Sequence, residues 1–194
     1  MEHWRYYLRG RLLELFGLQP RAIAAYNDAM RVKPDFLRPA NRIAYLLAAQ
    51  ERFAEAESYF QAVLRADPGD AVAHFNLGYT LDRRGQYDKA VHEFKEATRL
   101  NPKIDRAWYG LGLAHAHLGQ HREAAAALHE AATLQPMNPH AWYALGMAHH
   151  ALHDPDKLKE VALHLLRFDP KMTRRLILDA GRDDLAYLVK NLVR

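Results

Sequence analysis

The chain has 194 residues, no cysteine and a formal net charge of +4. The missing cysteines exclude disulfides, thiolate metal sites and a cysteine nucleophile, and they fit a reducing cytoplasm. No run approaches the length of a membrane span, and the opening MEHWRYYLRGRLLELFG carries arginines throughout, so neither membrane insertion nor a secretory signal is expected. Basic and acidic residues are interspersed, which gives nucleic-acid binding no basis.

A proline recurs every 34 residues, at Pro34, Pro68, Pro102, Pro136 and Pro170. At roughly one proline in twenty residues, four further matches at a fixed period arise by chance about once in a hundred thousand trials. The third copy, 71–104, shows the unit clearly. It reads as two short amphipathic helices around a turn at Gly85, with Leu77, Leu81, Phe94 and Leu100 at helical spacing and small residues at Gly78 and Ala90. One such pair cannot bury its apolar face alone, so the copies must stack.

The first copy, 3–36, carries Gly10, Ala22, Tyr26, Ala29 and Pro34 in these columns. Its Arg9 stands where later copies have Ile43, Leu77, Leu111 and Leu145, as expected of an end unit that must present a tolerable face to water. The second copy, 37–70, has Ala44 in the glycine column and keeps Ala56, Phe60 and Pro68. The fourth, 105–138, carries Trp108, Leu111, Gly112, Gly119, Ala124, Leu128, Ala131 and Pro136. The fifth, 139–172, keeps Trp142, Leu145 and Gly146 but has Leu158 and Ala162 where small and bulky residues usually stand. Asp154-Pro155 predicts a cap and first turn for its second helix. In 173–194, Gly181 breaks an apolar run containing Leu176, Ile177 and Leu178. Asp183 or Asp184 then precedes a helix with Leu185, Leu188, Val189 and Leu192 on one face. This segment reads as a terminal cap; Tyr187 and Val193 leave open a docking or dimerising helix.

The tryptophan, leucine and glycine of the first helix, with the alanine, bulky apolar residue, alanine and closing proline of the second, resemble the tetratricopeptide repeat over residues 3–172. The resemblance implies an all-α, right-handed α-solenoid of five helix-turn-helix repeats (3–36, 37–70, 71–104, 105–138 and 139–172), with a C-terminal capping segment. It also implies that the first helices line a concave groove whose surface comes from set columns. Carried onto this chain, those columns give Tyr7, Phe75, Tyr109 and Tyr143, interrupted by Asn41, together with Tyr45, Tyr79, Leu113 and Met147. Arg38, Arg42, Asn76, Arg83 and Arg106 supply hydrogen-bond donors for acidic groups. Aromatics of this kind give large contact area at low entropy cost and suit an extended or helical peptide; the same residues could instead serve packing.

The carboxylate clamp found in some members of the family is not expected. Asn76 matches and Arg106 replaces a lysine, but Asn41, Tyr45 and Gly110 stand where the pattern wants lysine, asparagine and arginine. The histidines His115, His117, His121, His129, His149, His150, His153 and His164 include pairs at helical spacing, yet no acid completes a ligand set, so no metal or other cofactor is expected. Nor is enzyme activity, for there is no phosphate-cradling loop or serine elbow, and Ser58 is the lone serine. The sequence thus points to a cytoplasmic, non-catalytic adaptor for another protein. The alternative is a structural protein that self-assembles into a homo-oligomer through its ends or convex face.

Overall fold

The computed structural model describes residues 1–192, with side chains described through Lys190. It divides into two compact units, one spanning Met1–Leu100 and the other beginning at Asn101. The described residues form helices joined by short turns, with no strand among them.

The first unit contains α1 (Glu2–Leu15), α2 (Gln19–Val32), α3 (Arg38–Ala49), α4 (Phe53–Ala66), α5 (Ala71–Arg83) and α6 (Tyr87–Leu100). Each odd helix packs against the even helix that follows it, and α3 and α5 also pack against the pair before them. The second unit repeats this with α7 (Asp105–His117), α8 (His121–Leu134), α9 (Pro139–Ala151) and α10 (Pro155–Leu166). It then adds α11 (Pro170–Asp179), so the segment boundary drawn at residue 172 falls inside a helix. A terminal 3₁₀ helix, Asp183–Leu192, follows. Asp70, Asn138, Asp154 and Asp169 cap α5, α9, α10 and α11 by accepting hydrogen bonds from first-turn amides. The Asp154-Pro155 pair acts as its sequence predicts.

The turn inside each pair sits in one column: Gly17, Glu51, Gly85, Gly119 and His153, with φ of 72°, 60°, 72°, 71° and 55°. This left-handed conformation comes easily to glycine and is costly for Glu51 and His153. The glycine column of the first helices has a different cause. A Cβ on Gly78 would lie 2.8 Å from the Phe94 ring, and one on Gly10 or Gly112 would meet Tyr26 or Leu128. The missing side chain therefore makes room for a bulky side chain of the next helix and, at Gly112, for the Ala124 carbonyl as well.

The fifth copy shows this best. Ala162 is too small to fill the space over Gly146, and Leu176 of α11 fills it instead, 2.7 Å from where a Cβ would stand. Leu176 is fully buried in a cluster with Leu145, Val161 and Leu165. The tryptophan column also has a clear role: the indoles of Trp108 and Trp142 donate to the carbonyls of Pro102 and Pro136, each at 2.9 Å. In copy three, His74 stands in that column, with Nε2 3.1 Å from the Pro68 carbonyl and Nδ1 2.7 Å from Glu93.

The terminal 3₁₀ helix buries Leu185 and Val189 against Leu158, Ile177 and Ala180. Its tighter turn places Leu185 and Leu188 in line, as the i, i+3 periodicity of this helix requires. Arg182 donates to the Pro155 carbonyl at 3.0 Å, tying the tail to the start of α10. The tail thus packs as a cap on α10 and α11; the Leu192 side chain and Val193 lie outside the described residues.

Candidate functional site

In the first unit the candidate residues project from α1, α3 and α5. Tyr45 and Tyr79 are exposed, at 54% and 41%, which is unusual for large aromatics on helices packed this closely. Each is held by an arginine. The Arg42 guanidinium lies 5.4 Å from the Tyr45 ring centre and pairs with the Glu14 carboxylate. Arg83 donates to the Tyr79 hydroxyl at 2.9 Å, lies 5.0 Å from the Phe53 ring centre, and reaches Glu51 at 3.5 Å. Phe53 meets Tyr79 edge to face at 6.3 Å. Stacked and hydrogen-bonded in this way, Tyr79 is fixed before any ligand arrives, which lowers the entropy cost of using it. The Tyr79 hydroxyl, and after it the Glu51 carboxylate, raise the pKa of the Arg83 guanidinium.

Arg38 stacks over Trp4 at 5.5 Å and remains exposed, with no carboxylate partner among the described residues. Tyr7 behaves differently. It is half-buried in an aromatic cluster with Trp4, Tyr26 and Phe36, with ring centres 5.5 to 5.7 Å away from it. Asn41 and Asn76 are half-buried, the latter accepting a bond from the Thr80 hydroxyl at its backbone carbonyl. Phe75 leans on Phe94 with centroids 6.2 Å apart. Beneath this surface, the Tyr26 hydroxyl donates to Glu14 at 2.7 Å, and burial pushes its phenol up to about 12. Glu14 therefore links the buried Tyr26 to the surface Arg42.

In the second unit the same columns are largely occupied. Tyr109 packs on two apolar clusters, and burial raises its phenol above the usual tyrosine range. Tyr143 donates to Asp179 of α11 at 2.6 Å, with Arg175 5.3 Å from its ring centre. That bond holds the Tyr143 proton and lowers the Asp179 carboxyl. Met147 packs between the α9–α10 core and the tail, and Leu113 is half-buried. Arg106 is exposed.

The structure thus adds Trp4, Glu14, Glu51 and Phe53 in the first unit, and Arg175 and Asp179 in the second. Trp4 shares the column of Arg38 and Arg106, whereas Glu51 and Phe53 come from the intra-pair turn and the helix after it, next to Tyr79 in space. The histidines are dispersed. His115 is buried with Nδ1 2.5 Å from the Gln120 side chain, and His164 stacks on Trp142 at 4.0 Å. His149 has a buried Nδ1 without a partner, and burial lowers its pKa. No three metal-binding side chains converge among the described residues. No helix among them is long and apolar enough to cross a membrane.

Comparison with known proteins agrees with this architecture. Tetratricopeptide-repeat family models match residues 47–114 and 105–138. The general transcriptional corepressor ssn6 of Schizosaccharomyces pombe is 37% identical over 70 residues, a match that covers 36% of this chain and 6% of that protein. Among solved structures, YrrB, described as a TPR protein with an unusual peptide-binding site, aligns with a TM-score of 0.80 at 22% identity over 91% of this chain and 90% of its own. MamA aligns with a TM-score of 0.82 at 20% identity, over 89% of this chain and 94% of its own. PilW, a type IV pilus biogenesis factor, aligns at 0.74 and 19% identity, over 90% and 82%. At these identities the structural matches speak to fold. With the 34-residue period and the packing of the glycine, tryptophan and turn columns, they lead to one conclusion: this chain belongs to the tetratricopeptide-repeat family.

Proposed function

We propose that this protein is a non-catalytic interaction scaffold that binds a peptide or helical segment of another protein on the first-helix face of its repeats. The observation that carries this reading is the pair of exposed, arginine-braced tyrosines, Tyr45 and Tyr79, in the first unit. Exposed aromatics already fixed in place are what a peptide-binding surface needs, since they offer contact area without an ordering cost. Arg38 and Arg106, exposed on their helices, would take acidic side chains of the ligand. Tyr7, Asn41, Phe75, Asn76, Tyr109, Leu113, Tyr143 and Met147 belong to the proposed surface as its supporting wall. The cysteine-free sequence supports a cytoplasmic location.

The test is affinity capture from a lysate of the source cell, comparing the wild-type chain with a Tyr45→Ala/Tyr79→Ala variant of unchanged helical content. A protein retained by the first and lost by the second is the expected result. Equal capture by both would move function away from this face.

A further inference from the structure

The outward side of α1 presents the densest run of exposed large apolar residues in the described chain: Leu8 at 61%, Leu12 at 56%, Leu15 at 80% and Phe16 at 70%. The repeat shows what the Leu12 side of this face is built to meet, while the columns of Leu8 and Leu15 stay half-buried or exposed in α3 and α5. In α3, α5 and α9 the column of Leu12 holds Leu46, Thr80 and Ala148, all at most 4% exposed, and the column of Arg9 holds the buried Ile43, Leu77 and Leu145. Those faces are covered by α2, α4 and α8, the second helix of the pair before each. Arg9 is exposed as its sequence suggests, but it does not seal the face, because the leucines beside it remain open.

Charge narrows the occupant. At about 100° per residue, Leu8, Leu12 and Leu15 form one stripe, with Arg5 and Arg9 along one edge and Arg11 along the other. Among the described residues, Arg5 and Arg9 make no ion pair, while Arg11 is bound to the Tyr7 hydroxyl. Glu2 shares a surface cleft with Arg5, Tyr6 and Arg9, and the other acid of α1, Glu14, is taken by Arg42 and Tyr26. A second copy docking through α1 in antiparallel orientation would set Arg5 and Arg9 against their own counterparts. In parallel orientation it would set them against Arg11. Both arrangements oppose like charges across a helix pair. A helix with acidic flanks suits both edges.

We infer that α1 is a second docking surface, bordering the proposed peptide face along Arg11, and that it takes an amphipathic helix of another protein with an apolar stripe flanked by glutamates or aspartates. The bound helix covers α1 as α2 covers α3. Leucines fill the stripe, and carboxylates pair with Arg5, Arg9 and Arg11.

The test uses the full chain and two labelled synthetic helical peptides with the same leucine stripe, one flanked by glutamates and one by lysines, followed by fluorescence anisotropy. The glutamate peptide is expected to bind saturably and the lysine peptide not to bind. Leu8→Gln/Leu12→Gln should weaken binding by about tenfold or more, and Arg5→Glu/Arg9→Glu/Arg11→Glu should reverse the preference. All five positions are exposed, so circular dichroism should show unchanged folding. Tyr45→Ala/Tyr79→Ala should leave this binding intact, which separates it from the peptide-face reading. Three results would each overturn the inference. One is a preference that the charge reversal does not alter, or no binding of either peptide. Another is a dimer, seen by analytical ultracentrifugation, that Leu8→Gln/Leu12→Gln dissolves. The third is co-sedimentation with phosphatidylserine vesicles in the absence of peptide binding.

Discussion

Two neighbouring groove columns, that of Tyr45, Tyr79 and Met147 and that of Tyr143, have opposite fates in the two units. In the first, Tyr45 and Tyr79 stand in the open, braced from the side by Arg42 and Arg83. In the second, Tyr143 has its hydroxyl on Asp179 of α11 and Arg175 over its ring, and Met147 is packed into the core beside the tail. The chemistry is parallel, an aromatic and an arginine in each case, yet one set is available and the other is already satisfied within the fold. The difference arises at Ala162. Its small side chain leaves Gly146 uncovered, α11 moves Leu176 into the space, and the same helix brings Arg175 and Asp179 to Tyr143. A packing demand in the core thus decides whether a surface residue is free to bind.

The strongest way to break this comparison is Leu176→Ala. It removes the side chain that fills the gap over Gly146 and should destabilise the second unit by about 2–5 kcal/mol. Hydrogen exchange should quicken in α9 to α11 while α1 to α6 keep their protection; uniform loss in both units would contradict the assignment. Alkali probes the first unit next, because its bulky column holds Tyr26 where the second unit has Leu128. The neutral Tyr26 phenol is held to about 12 against 10.0 when exposed, so the folded chain keeps a proton that the unfolded chain loses. That contribution is complete below pH 10 and disappears as pH rises through about 12. Urea denaturation at pH 9 and 11.5 should show a loss of stability that is smaller in Tyr26→Phe, and equal losses would argue against burial as the cause.

Two smaller effects sharpen the contrast. Tyr143→Ala should cost about 2 kcal/mol, since it empties a half-buried, packed site, whereas Tyr79→Ala should cost less than about 1 kcal/mol. Equal melting shifts in the two variants would erase the distinction between a supporting and an available aromatic. His153→Gly relieves a left-handed residue in the turn column and should stabilise the second unit by about 1 kcal/mol. For a chain this long that is a rise of about 2–4 °C in Tm by calorimetry. No change would mean that His153 makes compensating contacts in its native form.

Much of the fold was legible beforehand. The period located every helix pair through α10, and Asp154-Pro155 located the start of α10 itself. The turn column was legible at Gly85 and Gly119 but hidden at Glu51 and His153, because residue type there no longer reports the left-handed backbone. The site was legible only as columns. Tyr45 and Tyr79 could be named from their spacing, but Phe53 beside Tyr79, Glu14 beside Arg42 and Asp179 on Tyr143 could not, since each reaches its partner from another helix.

By itself the sequence determined the repeat: two amphipathic helices, a turn and a closing proline, copied at 34 residues. Those features depend on local periodicity and on residue types that act within a few positions of themselves. Only the tertiary structure decided which copies of a column are used up and which stay exposed. That outcome depends on what lies across the interface. Leu176 fills the space over Gly146 from thirty residues away in sequence, and no helix among the described residues covers Leu8 and Leu12 on α1. Burial is a property of pairs of elements, and a single segment carries only half of the information.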